Sequence, residues 1–101
     1  MKVNIKATNM ELAPSVTELV QEKMGSLDKY FNNIQQIEVE VGMTTRGQQK
    51  GDIYFCEVNV SVPKKLLRYR LEVEELNKAI NDAKKGIQNE LQKYKEMMKD
   101  M

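Results

Sequence analysis

The sequence contains no histidine and no tryptophan, and it has a single cysteine, Cys56. Without histidine the chain lacks the most frequent metal ligand and the most frequent general base, so we expect no bound metal ion and no histidine-dependent catalysis. One cysteine excludes an internal disulfide bond. No apolar run reaches the roughly 18 residues of a membrane-spanning helix, and no basic and then apolar leader opens the chain. We therefore expect a cytoplasmic protein that does not bind a membrane.

Phosphate-binding loops and catalytic pairs are also missing. The five glycines never form a GxGxxG or Walker spacing, and the serines have no histidine to activate them. Glu38 and Glu40 share one face of a predicted strand, but we expect that face to be open to water, without the cleft that an acid-base pair needs. The sequence therefore predicts a protein that is not an enzyme, with no cofactor and no small-molecule substrate.

The composition is that of one folded domain. The 101 residues are 41% hydrophobic and 31% charged, which is typical of a globular domain of ordinary size. We expect residues 1–101 to form a single domain. The net charge of +1 is unevenly distributed, because six basic residues stand against eight acidic ones up to Val62 and ten against seven from Pro63 onward. The C-terminal part therefore has a basic surface that either binds a polyanion or is simply solvated.

Hydrophobic periodicity predicts four strands and two helices. Alternation of apolar and polar residues indicates strands with one buried face, and recurrence every three or four residues indicates amphipathic helices. The polar tract TTRGQQKGD is predicted to form the loop between strands two and three. Pro63-Lys64-Lys65 is predicted to form the turn before strand four. The predicted strands are Met1 to Thr8, Gln36 to Met43, Ile53 to Val62 and Leu66 to Val73, and the predicted helices are Pro14 to Phe31 and Glu74 to Met98.

These elements predict one arrangement. Because each strand has one apolar face, both helices must cover the same side of the sheet. The first crossover contains a helix, which favours parallel pairing of strands one and two, and short turns favour antiparallel pairing elsewhere. We predict an α+β fold, a two-layer sandwich in the order β-α-β-β-β-α, with a four-stranded mixed sheet and two helices packed on one face. Cys56 falls on the buried face of strand three as a core thiol.

Lysines accompany the apolar stripes of both predicted helices. Lys23 interrupts the stripe of the first helix, so its ammonium must reach an edge of the core or a partner anion. On the second helix, Lys84, Lys95 and Lys99 follow one flank of the stripe, and Lys78, Lys85 and Lys93 lie on the outer face. The predicted stripe of the second helix consists of Leu76, Ile80, Ala83, Ile87, Leu91, Tyr94 and Met98.

Two binding functions remain open. In the first, lysines of the helices neutralise RNA phosphates, with strong salt dependence and little sequence preference. In the second, the domain is a protein-interaction module that pairs through a sheet edge or through outward Phe55 and Leu66. A salt titration distinguishes them, because phosphate contacts weaken steeply with salt and an apolar interface does not.

Several motifs resemble the ribosome hibernation promoting factors, also called ribosome-associated inhibitor A or sigma-54 modulation proteins. They are the N-x-E-hydrophobic turn from Asn9 to Leu12, the K-x3-L-x2-YF run from Lys23 to Phe31, and the A-I-N step at Ala79 leading to L-x-K-x-K at Leu91 to Lys95. The resemblance covers essentially the whole chain. This chain differs from the usual second-helix pattern of the family, D-x-Y-x-A-I-D and then K-L-x-R-Q-L, at Glu75, Asn77, Asn81, Gly86 and Asn89.

The resemblance implies a non-catalytic protein that binds ribosomal RNA of the small ribosomal subunit, in the channel for messenger and transfer RNA. Such a protein inhibits translation reversibly under stress or in stationary phase. The matching cations are Lys23, Lys93 and Lys95. Four more cations, Lys84, Lys85, Arg68 and Arg70, are candidates to replace the family cations that this chain lacks. The chain ends shortly after the predicted helix, so it resembles the short members of the family, and weak self-association stays open as a further contact.

Overall fold

The computed structural model describes residues 2–44 and 53–99. Strand β1 (Val3–Thr8) leads into helix α1 (Pro14–Gly25) and a 3₁₀ turn (Ser26–Lys29). Strands β2 (Gln36–Met43), β3 (Tyr54–Val62) and β4 (Lys65–Val73) follow, and helix α2 (Leu76–Lys99) ends the described chain. Met1 and most of the predicted TTRGQQKGD loop lie outside the described residues.

The four strands form one mixed sheet in the order β1-β2-β3-β4. β1 and β2 are parallel, and the two later pairs are antiparallel. Both helices pack on one face of this sheet and touch each other. The α+β sandwich and its β-α-β-β-β-α order are therefore confirmed.

The core lies between the sheet and the helices. Alternate strand residues enter it, as the period of two requires, and Cys56 is among them with no exposed surface. Burial raises the pKa of the Cys56 thiol to about 12, with a smaller contribution from the charge of Glu57. The thiol is thus protonated at neutral pH and serves as a small apolar side chain, as predicted.

The first helix is shorter than predicted. We expected it to continue to Phe31, but the α-helix ends at Gly25 and continues only as the 3₁₀ turn. The hydroxyl of Ser26 donates to the carbonyl oxygen of Lys23 at 2.7 Å, which satisfies one of the free carbonyls of the last turn. Gly25 is a weak helix former at the same point. Local hydrogen bonding therefore ends α1 although the apolar spacing continues.

Asn9 fixes the connection between β1 and α1. Its φ of 60° lies in the left-handed region, which asparagine tolerates better than most residues. Its side-chain amide donates to the carbonyl oxygen of Met43 at 3.0 Å, so the turn is attached to the end of β2. The Asn9 to Leu12 motif thus has a structural role.

Helix α2 lies close to β4 because Gly86 has no side chain. A Cβ atom at this position would overlap the ring of Tyr69 on β4. Tyr69 points toward the helices, since it follows the buried Leu67 by two residues. At Gly25, by contrast, a Cβ atom would meet nothing within 4 Å. The two helical glycines are therefore used differently.

We expect Gly86→Ala to destabilise the protein by roughly 1–3 kcal/mol, the cost of overpacking a core, even though alanine is the better helix former. The matched substitution Gly25→Ala has open space and should stabilise by roughly 0.5–1 kcal/mol. Urea unfolding followed by circular dichroism measures both changes. Effects of the same sign at the two positions would contradict the close approach of Tyr69 to Gly86.

Candidate nucleic-acid interface

The sheet face opposite the helices, here called the open sheet face, carries neutralised charges. Arg68 and Arg70 both contact Glu57, at 3.2 Å and 3.5 Å, and Arg70 also contacts Glu72 at 3.2 Å. These two arginines are candidate RNA contacts from the sequence. They lie on the side of the sandwich away from the helices, so they cannot share one binding surface with the helix lysines.

Phe55 also belongs to the open sheet face, but it is only 4% exposed. The guanidinium carbon of Arg70 lies 4.2 Å from the centre of its ring. Phe55 pairs across the sheet with Gly42, where a Cβ atom would lie 3.1 Å from the ring. The expectation that Phe55 offers an exposed apolar contact is therefore wrong, because its cross-strand neighbours cover it. Leu66, the other outward residue named for a protein interface, is 57% exposed.

Glu57 is the centre of this charge cluster. Partial burial by itself would raise the pKa of Glu57, but hydrogen bonds from Asn59 and Arg68 and the charges of Arg68 and Arg70 outweigh it. The pKa of Glu57 is therefore below its usual value. A carboxyl group whose pKa is lowered by folding contributes stability above its unfolded pKa, and that stability is lost as the pH falls through the folded value.

Glu57→Gln tests this cluster. At pH 7 we expect the variant to have a lower free energy of unfolding by about 1 kcal/mol at most, because solvent screens a partly accessible cluster. The difference should begin to shrink as the pH falls below the ordinary glutamate pKa of about 4.3 and should disappear once the pH is below the lowered pKa of the folded state. Denaturant unfolding across a pH series gives both values. Glu72→Gln, at a more exposed carboxylate with one arginine partner, is the control and should change less. A pH-independent difference for Glu57→Gln would contradict the lowered pKa.

The other face contains a groove between α2 and the segment formed by α1 and its 3₁₀ turn. We call this the helix groove and define it by Tyr30, Phe31, Lys84, Gln88 and Lys95. The ammonium of Lys84 lies 5.4 Å from the centre of the Tyr30 ring and donates to Gln88 at 3.0 Å. Phe31 packs edge to face against Tyr94 at a ring distance of 5.4 Å.

A depression of about 330 Å³ opens at the C-terminal end of the helix groove. Aromatic and polar side chains share its walls, which suits a ligand with both charged and flat surfaces. Among residues 2–44 and 53–99, Asp28 is the one acidic residue that lines it. The lining residues are Asp28, Lys29, Tyr30, Phe31, Asn32 and Lys95.

Lys23 lies in the last turn of α1 and is half-buried, as its position in the apolar stripe predicts. Lys84 and Lys95 are also half-buried. In the chain described here, residues 2–44 and 53–99, none of these three lysines has a carboxylate within ion-pair distance. Partly desolvated cations without a protein anion are those that gain most from an external anion.

The two remaining candidates, Lys85 and Lys93, lie on the outer side of α2. Both are exposed, and the ammonium of Lys93 is 3.7 Å from the carboxylate of Glu90. The family resemblance groups Lys93 and Lys95 with Lys23 as matching cations. Residues two apart in a helix point in nearly opposite directions, so Lys93 and Lys95 cannot both line the helix groove.

The structure therefore divides the seven candidate cations into three groups. Lys84 and Lys95 line the helix groove and Lys23 lies on the helix that forms its other wall, Lys85 and Lys93 face outward, and the two arginines occupy the open sheet face. Tyr30 and Gln88 are groove residues that are not among the candidates from the sequence. A signal for Gln88 is present in the sequence, because Lys84, Gln88 and Lys95 are spaced to share one flank of a helix.

Residues 3–99 match a family model described as sigma 54 modulation protein / S30EA ribosomal protein. The chain belongs to this family. The resemblance read from the Asn9, Lys23 and Ala79 motifs is thereby confirmed. Within the described part of the chain, no helix is both long and apolar enough to cross a bilayer, and no three potential ligands among cysteine, aspartate and glutamate are placed to hold a metal ion.

Two curated proteins similar to this family member are both called ribosome hibernation promotion factor. The one from Lactococcus lactis subsp. cremoris (strain MG1363) is 26% identical over 100 residues, covering 97% of this chain and 51% of that protein. The one from Bacillus subtilis (strain 168) is 25% identical over 95 residues, covering 94% and 49%. The chain spans about half the length of these curated relatives.

Solved structures share the fold of this family member. A ribosomal subunit interface protein from Coxiella burnetii superposes with a TM-score of 0.81 at 17% identity, covering 94% of this chain and 98% of that one. The N-terminal domain of Thermus thermophilus Protein Y gives a TM-score of 0.73 at 21% identity, covering 93% and 99%. At these identities the likeness shows the fold alone.

Proposed function

We propose that this protein is a ribosome hibernation factor that binds ribosomal RNA of the small subunit through the helix groove. It occupies the channel for messenger and transfer RNA and inhibits translation reversibly under stress or in stationary phase. Two relatives named ribosome hibernation promotion factor and a structural neighbour named as a ribosomal subunit interface protein support the ribosome as the partner. The mechanism is occlusion and needs no catalytic residue.

The observation that carries this proposal is the pair Lys84 and Lys95 on one flank of α2. They lie beside Tyr30 and Phe31, and none of the carboxylates that the structure describes forms an ion pair with them. An ammonium on a flexible stem is a suitable phosphate contact, and the gain comes from releasing counterions of the RNA. Helix α2 as a whole carries six lysines against three acidic residues, so the surrounding field also attracts a polyanion.

The open sheet face is a poorer RNA surface. Its two arginines already contact Glu57 and Glu72, and a phosphate would have to compete with those carboxylates. Glu38 and Glu40 line a shallow, open depression of about 220 Å³ on the same face together with Lys6. The two carboxylates outnumber this one cation and would repel a polyanion. The proposal therefore assigns RNA contact to the helix side and leaves the sheet side toward solvent or protein.

Two triple variants test this assignment with equal loss of charge. The groove variant combines Lys23→Gln, Lys84→Gln and Lys95→Gln, and the sheet variant combines Lys6→Gln, Arg68→Gln and Arg70→Gln. Binding to purified small ribosomal subunits is measured by co-sedimentation across a salt series. Log affinity falls with log salt, and each lost phosphate contact should make this negative slope shallower by about 0.7–0.9. The slope of the groove variant should therefore be shallower than that of the wild type by about 2 to 3, and the slope of the sheet variant should change little.

Circular dichroism and thermal unfolding establish that both variants fold. Equal losses in the two variants would mean that only net charge matters and would contradict a specific groove. Unchanged co-sedimentation of the groove variant would reject RNA binding through the helices. If wild-type binding does not depend on salt, the protein-interaction alternative replaces the proposal.

A further inference from the structure

A second surface lies at the far end of α2, away from the open sheet face and beyond the helix groove. A depression of about 350 Å³ lies between the last turns of α2 and the turn that joins β3 to β4. We call it the hairpin patch. Its lining residues are Pro63, Lys64, Lys65, Tyr94, Met97 and Met98.

The floor of the hairpin patch is held in place by one hydrogen bond. The hydroxyl of Tyr94 donates to the carbonyl oxygen of Pro63 at 2.7 Å, so the helix is attached to the hairpin at this point. In the turn of α2 that follows Tyr94, Met97 and Met98 are 58% and 42% exposed. Two neighbouring exposed methionines form an adaptable apolar surface that can pack around different side chains.

The rim of the patch is cationic. Lys64 and Lys65 are exposed, and among residues 2–44 and 53–99 neither has a carboxylate within ion-pair distance. Lys64 has a φ of 67°, although glycine or asparagine is usual at such a turn position. A long cationic side chain therefore stands at a strained position beside an apolar depression. Backbone strain of this kind is concentrated at binding sites.

We propose that the hairpin patch binds a protein segment that inserts an apolar side chain against Met97 and Met98 and places carboxylates on Lys64 and Lys65. The cationic rim selects an acidic segment, and the apolar floor gives it an anchor. RNA fits the patch less well, because Tyr94 is already engaged by Phe31 and Pro63 and methionines offer no flat stacking surface. This contact is separate from the helix groove and does not depend on RNA binding.

The probe is a synthetic decapeptide with three leucines, one phenylalanine and six acidic residues. One control peptide has serine at the apolar positions, and a second has lysine at the acidic positions. Selective carbon-13 labelling of the methionine methyl groups reports binding, because the seven methionines of the chain include Met97 and Met98 in the patch and the fully buried Met24 as an internal reference.

We expect the acidic apolar peptide to shift the methyl signals of Met97 and Met98 and to leave that of Met24 unchanged. Both control peptides should bind at least about tenfold more weakly. Lys64→Asn combined with Lys65→Gln should weaken the peptide about tenfold, and asparagine tolerates the positive φ, so the turn is kept. In amide spectra of the wild-type protein, the peptide should also shift the backbone signals of Lys64 and Lys65. Met97→Ser combined with Met98→Ser alters only exposed side chains and should abolish these amide shifts.

Three results would overturn the proposal. The first is no methyl shift at peptide concentrations of about 1 mM, which is the range of a contact of about −4 kcal/mol. The second is equal binding of the serine control, which would mean that charge alone attracts the peptide. The third is that a ten-nucleotide RNA shifts the methyl signals of Met97 and Met98 more strongly than the peptide does, which would make the hairpin patch part of the RNA-binding surface.

Discussion

The arrangement of the helices and of the cations depends on the fact that the strands carry their apolar residues mainly on one face. The apolar residues alternate along β2 and, from Cys56 onward, along β3, so the sheet buries one side and leaves most of the other to water. Both helices have to cover that single side and therefore lie next to each other. The groove between them is a consequence of this packing, and so is the separation of the cations onto two opposite surfaces.

The open sheet face and the helix side differ in their electrostatics because their cations have different neighbours. On the open sheet face, cross-strand register places Arg70 opposite Glu57, and the charges neutralise one another. On the helix side, Lys84 and Lys95 follow one flank of α2 at positions where the described carboxylates do not reach them. A chain with a net charge of only +1 can in this way present a cationic groove, because carboxylates such as Glu57 and Glu72 pair with arginines on the open sheet face.

Much of this could be predicted from the sequence. Strand alternation and helical spacing gave the order of elements, the faces of the strands and the core position of Cys56. The features that could not be predicted depend on where a helix ends relative to the sheet and on which residues lie next to each other on adjacent strands. Met98 continues the apolar stripe of α2, but it is exposed beside the turn between β3 and β4. By alternation Phe55 lies on the polar side of β3, yet it is buried because the guanidinium of Arg70 lies over its ring and the ring packs beside Gly42.

The candidate site was predicted in part. Lys23 was singled out because it interrupts an apolar stripe, and it is half-buried in the structure. Lys93 and Lys95 match the family pattern, but a helix turns by about 200° between alternate residues, so they face different ways. Arg68 and Arg70 lie on the opposite side of the sheet from the helix lysines. Sequence matching alone contains neither fact, whereas helical spacing on one face points to Lys84, Gln88 and Lys95.

Cryo-electron microscopy of the protein bound to the small ribosomal subunit tests the central claim most directly. We predict that the domain lies in the channel for messenger and transfer RNA, with the ammonium groups of Lys84 and Lys95 against ribosomal RNA phosphates and the open sheet face turned away from RNA. A complex in which the open sheet face lies on the RNA, or in which the domain binds outside the channel, would contradict it.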